Sequence, residues 1–202
     1  MKRLLPLLLT LLATGVSFSL TASAADLAKA EEIVQGRCFM CHGANGESSS
    51  PAFPRLAGQN AAYVARQLAD YQSGKRKSSN MQPMVEGLTA SDMAALGAWF
   101  EKQETHIHAV EDRELADVGR FVYQRGNPFT GVAACATCHG KDGQGTTTLP
   151  RLAGQHAQYT ENQIKQFNRR ERTNDNAVMH GIAKQLTELE TKAVAAYLSG
   201  LK

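Results

Sequence analysis

The chain has little net charge for its length. Its 22 Lys and Arg residues nearly balance its 19 Asp and Glu residues, which leaves a formal charge of +3 over 202 residues. Cleavage of a leader containing Lys2 and Arg3 would lower that charge further. A nucleic-acid-binding domain carries a marked basic excess that attracts phosphate groups. The charge balance therefore argues against nucleic acid as a partner.

Long hydrophobic runs are missing beyond the N-terminus. A membrane-spanning helix needs about 20 predominantly apolar residues. The N-terminus carries Lys2 and Arg3, an apolar stretch over 4–12, and the small residues Ala22-Ser23-Ala24. This order is typical of a secretory signal peptide. We predict that residues 1–24 are cleaved and that the protein is exported to a periplasm.

The chain is an internal duplication. The hexapeptide Pro54–Gln59 recurs letter for letter at 150–155, and residues downstream of it match at the same spacing of 96. The two cysteine motifs lie 97 residues apart. Near-constant spacing across a chain indicates two copies of one domain. We predict an N-terminal domain over 25–105, a linker over 106–113 and a C-terminal domain over 114–202.

Strand patterns are missing from both copies, and each copy reads as three helices joined by polar, glycine-rich loops. The predicted fold class is therefore all-α, with two small helical domains in tandem. Domains of this size bury a small part of their surface and often need a covalent or metal-based support. The predicted helices are Leu27 to Gly36, Asn60 to Gln72 with Asn60 as N-cap, one starting at Thr89 or Ser91, Glu114 to Gln124, His156 to Arg169, and Glu188 to Leu198.

Cysteine is scarce: the chain has four, all in two identical contexts. The sequence reads Cys-Phe-Met-Cys-His-Gly from Cys38 and Cys-Ala-Thr-Cys-His-Gly from Cys135. Zinc binding, dithiol redox chemistry and covalent haem attachment all use Cys-x-x-Cys. A structural zinc ion usually takes two cysteine pairs at one site, whereas each pair here lies in its own repeat. A thioredoxin-like dithiol expects a βαβ unit, which neither copy predicts.

Covalent haem attachment accounts for the whole motif, including the histidine. Two thiols three residues apart can add to the two vinyl groups of a porphyrin, and the next residue then lies under the iron. A disulfide within each motif is chemically possible but leaves the histidine without a role. We predict two covalent haem c groups, attached at Cys38, Cys41, Cys135 and Cys138, with His42 and His139 as iron ligands.

Each copy also offers a methionine as the second axial ligand. Met179, the one methionine after the second motif, lies seven residues before Leu186. Met81 lies seven residues before Leu88, whereas Met84 lies four before it, so the repeat favours Met81. Histidine with methionine closes both axial positions, as an electron carrier requires, and raises the reduction potential. We predict Met81 and Met179 as the remaining iron ligands.

These doubled features resemble the dihaem cytochrome c4 family, which has two class I cytochrome c domains in tandem. The resemblance spans the mature sequence and rests on both Cys-x-x-Cys-His-Gly motifs, both hexapeptides and the run from Arg172 to Met179. It implies that the carbonyls of Pro54 and Pro150 accept a hydrogen bond from the ligand histidines, which fixes the tautomer. It also offers Arg55, Arg151, Tyr63 and Tyr159 as partners of haem propionates, with surface charge and helix packing as the alternatives.

The sequence favours an electron carrier and not an enzyme. Its partners would be redox proteins: a quinol-oxidising complex or another cytochrome as donor, and a terminal oxidase or reductase as acceptor. Loose association with a membrane surface stays open. A small dihaem peroxidase is one alternative, although it needs an iron with an open sixth position. A dihaem subunit of a larger dehydrogenase is another, and it would expose a large apolar patch.

The remaining histidines are expected to lie outside the haem sites. His106 and His108 fall in the predicted linker, where we expect them to be solvated. His156 begins a helix and is expected at the surface. His180 follows the predicted ligand, but Gln82 takes its place in the first copy, so the repeat gives it no shared role.

Overall fold

The computed structural model describes the chain from Ser23 to Lys202. The predicted signal peptide, residues 1–24, lies almost wholly outside the described residues. Within 23–202 there are ten α-helices, one π-helical turn and no strand beyond an isolated antiparallel bridge between Asn127 and Val132. None of these helices has the length and apolar character needed to cross a bilayer. The all-α class is confirmed.

The two halves of the chain repeat one helical order. The first half has α1 (Ala24–Ile33), a π-helical turn (Val34–Cys38), α2 (Phe39–His42), α3 (Ala61–Gln72), α4 (Met81–Val85) and α5 (Ala90–Glu101). The second half has α6 (Arg113–Arg125), α7 (Ala136–His139), α8 (Ala157–Asn168), α9 (Val178–Ala183) and α10 (Glu188–Ser199). The six longer helices agree with the predicted ones to within a few residues at each end.

A repeated Leu-Thr pair starts the last helix of each half. Thr89 accepts a hydrogen bond from the Asp92 backbone N–H, and the Asp92 carboxylate accepts one from the Thr89 backbone N–H. Thr187 and Glu190 form the same reciprocal capping box. Such a cap stabilises a helix by about 1 kcal/mol. Thr89, and not Ser91, is therefore the N-cap of α5.

Glycine lets the main helices of each half approach closely. In the N-terminal half, Gly97 of α5 packs directly on the backbone of Ala61 in α3. In the C-terminal half, Gly119 of α6 packs in the same way on Ala193 of α10. A Cβ atom at either glycine would overlap backbone atoms of the facing helix. These contacts set the distance between helices that frame the site.

We expect Gly119→Ala to destabilise the protein by about 1–3 kcal/mol, since an added methyl group must push α6 from α10. Gly36→Ala is the control, because nothing lies within 4 Å of a Cβ built at Gly36. That control should be neutral or more stable by up to about 1 kcal/mol. Chemical unfolding followed by helical circular dichroism measures both. Equal midpoints for the two variants would contradict this packing.

The two hexapeptides face each other across the boundary between the halves. The Gln59 side chain donates to the Arg151 carbonyl and accepts from the Arg151 N–H, both at 2.8 Å. The Gln155 side chain makes the equivalent pair with Arg55, at 3.0 Å and 2.9 Å. Each copy thus recognises the other through the same residues, as in an isologous interface. The hexapeptide is therefore self-complementary across the boundary.

A left-handed glycine anchors each hexapeptide to its own half. Gly58 and Gly154 have φ values of 64° and 72°, a region that other residues enter at a cost. Their N–H groups donate at 2.9 Å to carbonyls near the ends of α5 and α10, those of Phe100 and Leu198. The interface segment is thereby fixed to the C-terminal turn of each half's last helix.

Candidate haem sites

Each attachment motif ends in a buried histidine held by a proline carbonyl. His42 and His139 close α2 and α7 and are 6% and 7% exposed. The Nδ1 atom of His42 lies 2.9 Å from the Pro54 carbonyl oxygen, and that of His139 lies 3.3 Å from the Pro150 oxygen. The expected histidine–proline contact is therefore confirmed in both halves.

These contacts prepare each imidazole to bind a metal. Since a carbonyl oxygen can only accept, Nδ1 carries the proton and Nε2 keeps a free lone pair. Burial lowers the pKa of His42 and His139, which outweighs the opposing effect of the carbonyl hydrogen bonds. Both rings are neutral at pH 7, the form in which histidine binds a metal.

Within 23–202, no disulfide joins the four cysteines, which lie in two separate halves of the molecule. Cys38, Cys41 and Cys135 are half-buried, and Cys138 is exposed. Burial raises the pKa of Cys38 and of Cys135 to about 11. A dithiol redox centre needs a thiolate with a lowered pKa. The burial of these thiols therefore disfavours dithiol redox chemistry.

The two candidate methionines of the first half differ in their surroundings. Met81 begins α4, is half-buried, and packs on a core cluster that includes Leu96 and that Cys38 also contacts. Met84 is 39% exposed. Met93 is buried in α5 within the same core, as expected for a structural residue. The structure thus brings Met81 and the first motif to one core, and leaves Met84 at the surface.

The apolar core of the second half forms two clusters, whereas that of the first half forms one. One cluster, built around Tyr123 and Leu198, contacts Cys135. A second cluster, built around Ile164 and Phe167, contacts Met179. Among the described residues, Leu186 packs on both clusters. The attachment motif and the methionine of this half therefore rest on separate apolar surfaces.

The sequence-based reasoning missed two buried arginines between the halves. Arg76 and Arg172 are each 7% exposed. Arg76 donates to Tyr159 Oη at 3.0 Å, and Arg172 donates to Tyr63 Oη at 3.0 Å, so each reaches the opposite half. The repeat spacing of 96 relates the two arginines and the two tyrosines. That shared spacing was the signal that could have found them.

The arginine pair makes a strongly positive region. Gln67 Oε1 accepts hydrogen bonds from both guanidinium groups, and so does Gln163 Oε1. Burial alone would raise the pKa of Tyr63, but the charges of Arg172 and Arg76 outweigh it and hold that pKa below its usual value. Within 23–202 all hydrogen-bond partners of the two guanidinium groups are neutral, whereas buried charges are ordinarily paired.

Arg55 and Arg151 lie beside this boundary with different partners. Arg55 donates to the Gly154 carbonyl at 2.6 Å and has Nε 3.4 Å from a Glu47 carboxylate oxygen. Arg151 donates to Gln144, while its Nη2 is buried without a partner in the described part of the chain. Arg55 Nε and Arg151 Nη2 are both buried without a hydrogen-bond partner among the described residues. The four arginines of the boundary therefore fit the carboxylate groups of haem.

Two polar residues depart from their expected roles. Asn60 occupies the N-cap position of α3, but its side chain donates to the carbonyls of Thr146 and Leu149 in the other half, so it does not cap the helix. His156, expected at the surface, has Nε2 at 2.8 Å from the Ser48 carbonyl oxygen in the first half. Local sequence could not reveal partners that lie about 90 residues or more away along the chain.

The linker histidines also differ from each other. His106 is exposed, as expected. His108 is not simply solvated, because it is half-buried with Nε2 at 3.2 Å from a Glu47 carboxylate oxygen. His180, which follows Met179, has Nδ1 at 3.0 Å from the Phe167 carbonyl oxygen. This bond ties the start of α9 to α8.

Comparison with known proteins gives one consistent result. The family model described as cytochrome c matches residues 27–122 and again residues 123–202. Cytochrome c4 of Azotobacter vinelandii is 37% identical over 99% of both chains. Cytochrome c4 of Thiocapsa roseopersicina is 41% identical over 85% of this chain and 90% of its own.

Similarity to a solved structure and to a further relative agrees with this. The crystal structure of reduced recombinant cytochrome c4 from Pseudomonas stutzeri matches with a TM-score of 0.82 and 32% identity, over 87% of this chain and 98% of that chain. A thiosulfate dehydrogenase electron acceptor from Stutzerimonas stutzeri (strain A1501) is 37% identical over 81% of this chain and 78% of its own. With two attachment motifs in two like halves, the chain belongs to the cytochrome c family, as a tandem protein of the cytochrome c4 type with two covalent haem c groups.

Proposed function

We propose that the protein is a periplasmic electron carrier whose two domains, joined by a linker over 106–113, each hold one haem. The thioether anchors would be Cys38 and Cys41 in the first domain, and Cys135 and Cys138 in the second. The axial ligands would be His42 with Met81, and His139 with Met179. When bound, haem supplies a one-electron couple between ferric and ferrous iron.

One observation carries this proposal: each half contains a candidate for both axial positions. A neutral histidine fixed by a proline carbonyl stands at the end of each motif. A half-buried methionine, Met81 or Met179, packs on the core of the same half. Two closed axial positions favour electron transfer over ligand chemistry at iron.

The chain's own contribution is to hold these groups still. The proline carbonyls fix each ring, and His42 and His139 are themselves buried. The capping boxes at Thr89 and Thr187 fix the last helix that follows each methionine. A framework that does not move between oxidation states lowers the reorganisation that accompanies electron transfer.

Brief docking of redox partners would occur beside the attachment motifs. Phe39 and Met40, the two residues between the first pair of thiols, are 40% and 80% exposed. Thr137, between the second pair of thiols, is also exposed. Transient redox encounters use small interfaces of this kind. The proposed donors are a quinol-oxidising complex or another cytochrome, and the proposed acceptor is a terminal oxidase or reductase.

A dehydrogenase is a second candidate for the electron donor. The similarity to a thiosulfate dehydrogenase electron acceptor favours it. In that case the protein would still be a carrier and not the enzyme. Mixing oxidised protein with a purified quinol-oxidising complex and quinol, or with thiosulfate dehydrogenase and thiosulfate, separates the two donors by their reduction rates.

We expect the reduced protein to pass electrons to oxidase-containing membranes but not to turn over hydrogen peroxide. Both irons would be closed, so peroxide has no open coordination position to bind. Stopped-flow oxidation of the reduced protein by membranes, and by peroxide, measures the two activities. Multiple peroxide turnovers per haem at a rate exceeding that with membranes would favour a peroxidase and contradict the carrier proposal.

A further inference from the structure

The loop that carries Met179 has a strained backbone. Arg170, Asn176 and Ala177 have φ values of 60°, 51° and 65°, and they are the non-glycine residues with positive φ within 23–202. Residues other than glycine enter this region at a cost of about 1 kcal/mol or more each. Such a conformation persists only where surrounding contacts hold it. The contacts of this loop therefore determine the position of Met179.

Several of these contacts come from the opposite domain. Arg172 donates to Tyr63 Oη at 3.0 Å and to Gln67 Oε1 at 2.9 Å. Asn174 donates to Gln67 Oε1 at 2.9 Å and to Asp70 Oδ2 at 2.7 Å. Tyr63, Gln67 and Asp70 follow one another at intervals of four and three, so they share one face of α3. We call these bonds the Arg172–Asn174 clamp.

The clamp leads directly to the methionine. Asp175, the next residue, accepts a hydrogen bond from the His180 N–H at 2.8 Å through one carboxylate oxygen. Its other oxygen accepts from the strained Ala177 N–H at 3.1 Å. The backbone on both sides of Met179 is thus tied to a residue adjacent to the clamp. A shift of the clamp would be passed to α9 through these two bonds.

Among the described residues, the loop that carries Met81 makes no hydrogen bond to the other domain equivalent to those of Asn174. Arg76 donates to Tyr159 and Gln163 of the other half, as the repeat requires. The residue that matches the clamp's asparagine, however, is Ser78, whose hydroxyl accepts from the Met81 N–H within its own loop. The Met81 loop also lacks left-handed non-glycine residues. It can therefore keep its shape with fewer contacts from its neighbour.

We propose that the N-terminal domain positions Met179, because α3 holds the strained Met179 loop through the Arg172–Asn174 clamp. Arg172 and Asn174 are positioning residues that act through the loop. This inference rests on the proposed ligation of iron by Met179. The second haem site would then depend on docking of the two domains, and the first would depend on it less.

Because the first copy has Ser78 at the position that matches Asn174, the substitution Asn174→Ser tests the clamp. The probe is the sulfur-to-iron charge-transfer band of the full-length ferric holoprotein. We expect Asn174→Ser and Arg172→Gln to lose up to half of its amplitude, which is the share of one haem of two. The haem of the C-terminal domain should also become easier to oxidise, and amide hydrogen exchange at Ala177 and His180 should accelerate.

A strain-relief variant separates positioning from general stability. Ala177→Gly removes the cost of the left-handed conformation, so the double variant Asn174→Ser, Ala177→Gly should regain band amplitude. Asn60→Ser is the control, since Asn60, at the start of α3, also reaches across the boundary but contacts the Thr146 and Leu149 carbonyls and not the clamp. It should leave the band, the potentials and the loop exchange rates unchanged.

The outcomes distinguish this inference from the proposed ligand set. A wild-type protein that shows the band of one methionine-ligated haem would refute one methionine assignment. A wild type with two such haems, and an Asn174→Ser variant with full amplitude and unchanged exchange at Ala177, would overturn the clamp. If Arg172→Gln fails to fold, Asn174→Ser decides, because it leaves the Arg172 bonds to Tyr63 and Gln67 in place.

Discussion

Replacing Met81 by alanine is expected to open one of the two haem irons, whereas replacing Met84 should leave both closed. Met81 packs on the core that Cys38 contacts, and Met84 is 39% exposed. The repeat spacing before Leu88 favours the same residue. Met81→Ala should therefore lose half of the sulfur-to-iron band and bind carbon monoxide at half of the reduced haem.

The potential of that haem should also fall, because methionine ligation stabilises ferrous iron. Met84→Ala is the matched control, since it removes the same side chain three residues away on α4. The paired variant Met179→Ala should reproduce the effect in the other domain. A Met84→Ala protein that binds carbon monoxide, together with a Met81→Ala protein that does not, would reverse the assignment.

Removing the haem anchors should disrupt the second domain more than the first. The double variant Cys135→Ser, Cys138→Ser would leave two apolar clusters that share Leu186 as their common contact in the described residues. Small domains that lose a covalently attached cofactor often fail to stay folded. We expect helices α8 and α9 to become sensitive to proteolysis and the helical circular dichroism to fall.

The corresponding Cys38→Ser, Cys41→Ser variant should keep more structure, because one continuous core joins α1, α3 and α5. Both variants should carry one haem per chain instead of two, measured by the pyridine haemochrome spectrum against protein concentration. Limited proteolysis with mass spectrometry locates the unfolded segments. Greater loss of structure in the first domain than in the second would contradict this reading of the cores.

The long helices and the attachment motifs could be predicted because their signals are local. The apolar spacing from Ala61 to Tyr71 marks one helical face, and α3 has those bounds to within a residue. Short helices such as α4 and α9 were missed, since five or six residues carry no clear period. These two helices nevertheless carry Met81 and Met179, which the repeat spacing identified without any helix prediction.

The contacts between the halves could not be predicted residue by residue. The repeat identified Gln59 and Gln155 as equivalent, but not that each pairs with the other copy's arginine backbone. The repeat likewise paired Arg76 with Arg172, but not their burial at the boundary. Sequence periodicity reports burial within an element, whereas partners about 90–100 residues away depend on how domains dock.

The visible spectrum of the purified holoprotein tests the central claim most directly. It should be recorded for the ferric protein, for the reduced protein, and for the reduced protein under carbon monoxide. We expect a low-spin c-type spectrum that carbon monoxide leaves unchanged, because His42 with Met81 and His139 with Met179 would close both irons. A carbon monoxide shift in about half of the haem or more would show an open iron and contradict the account.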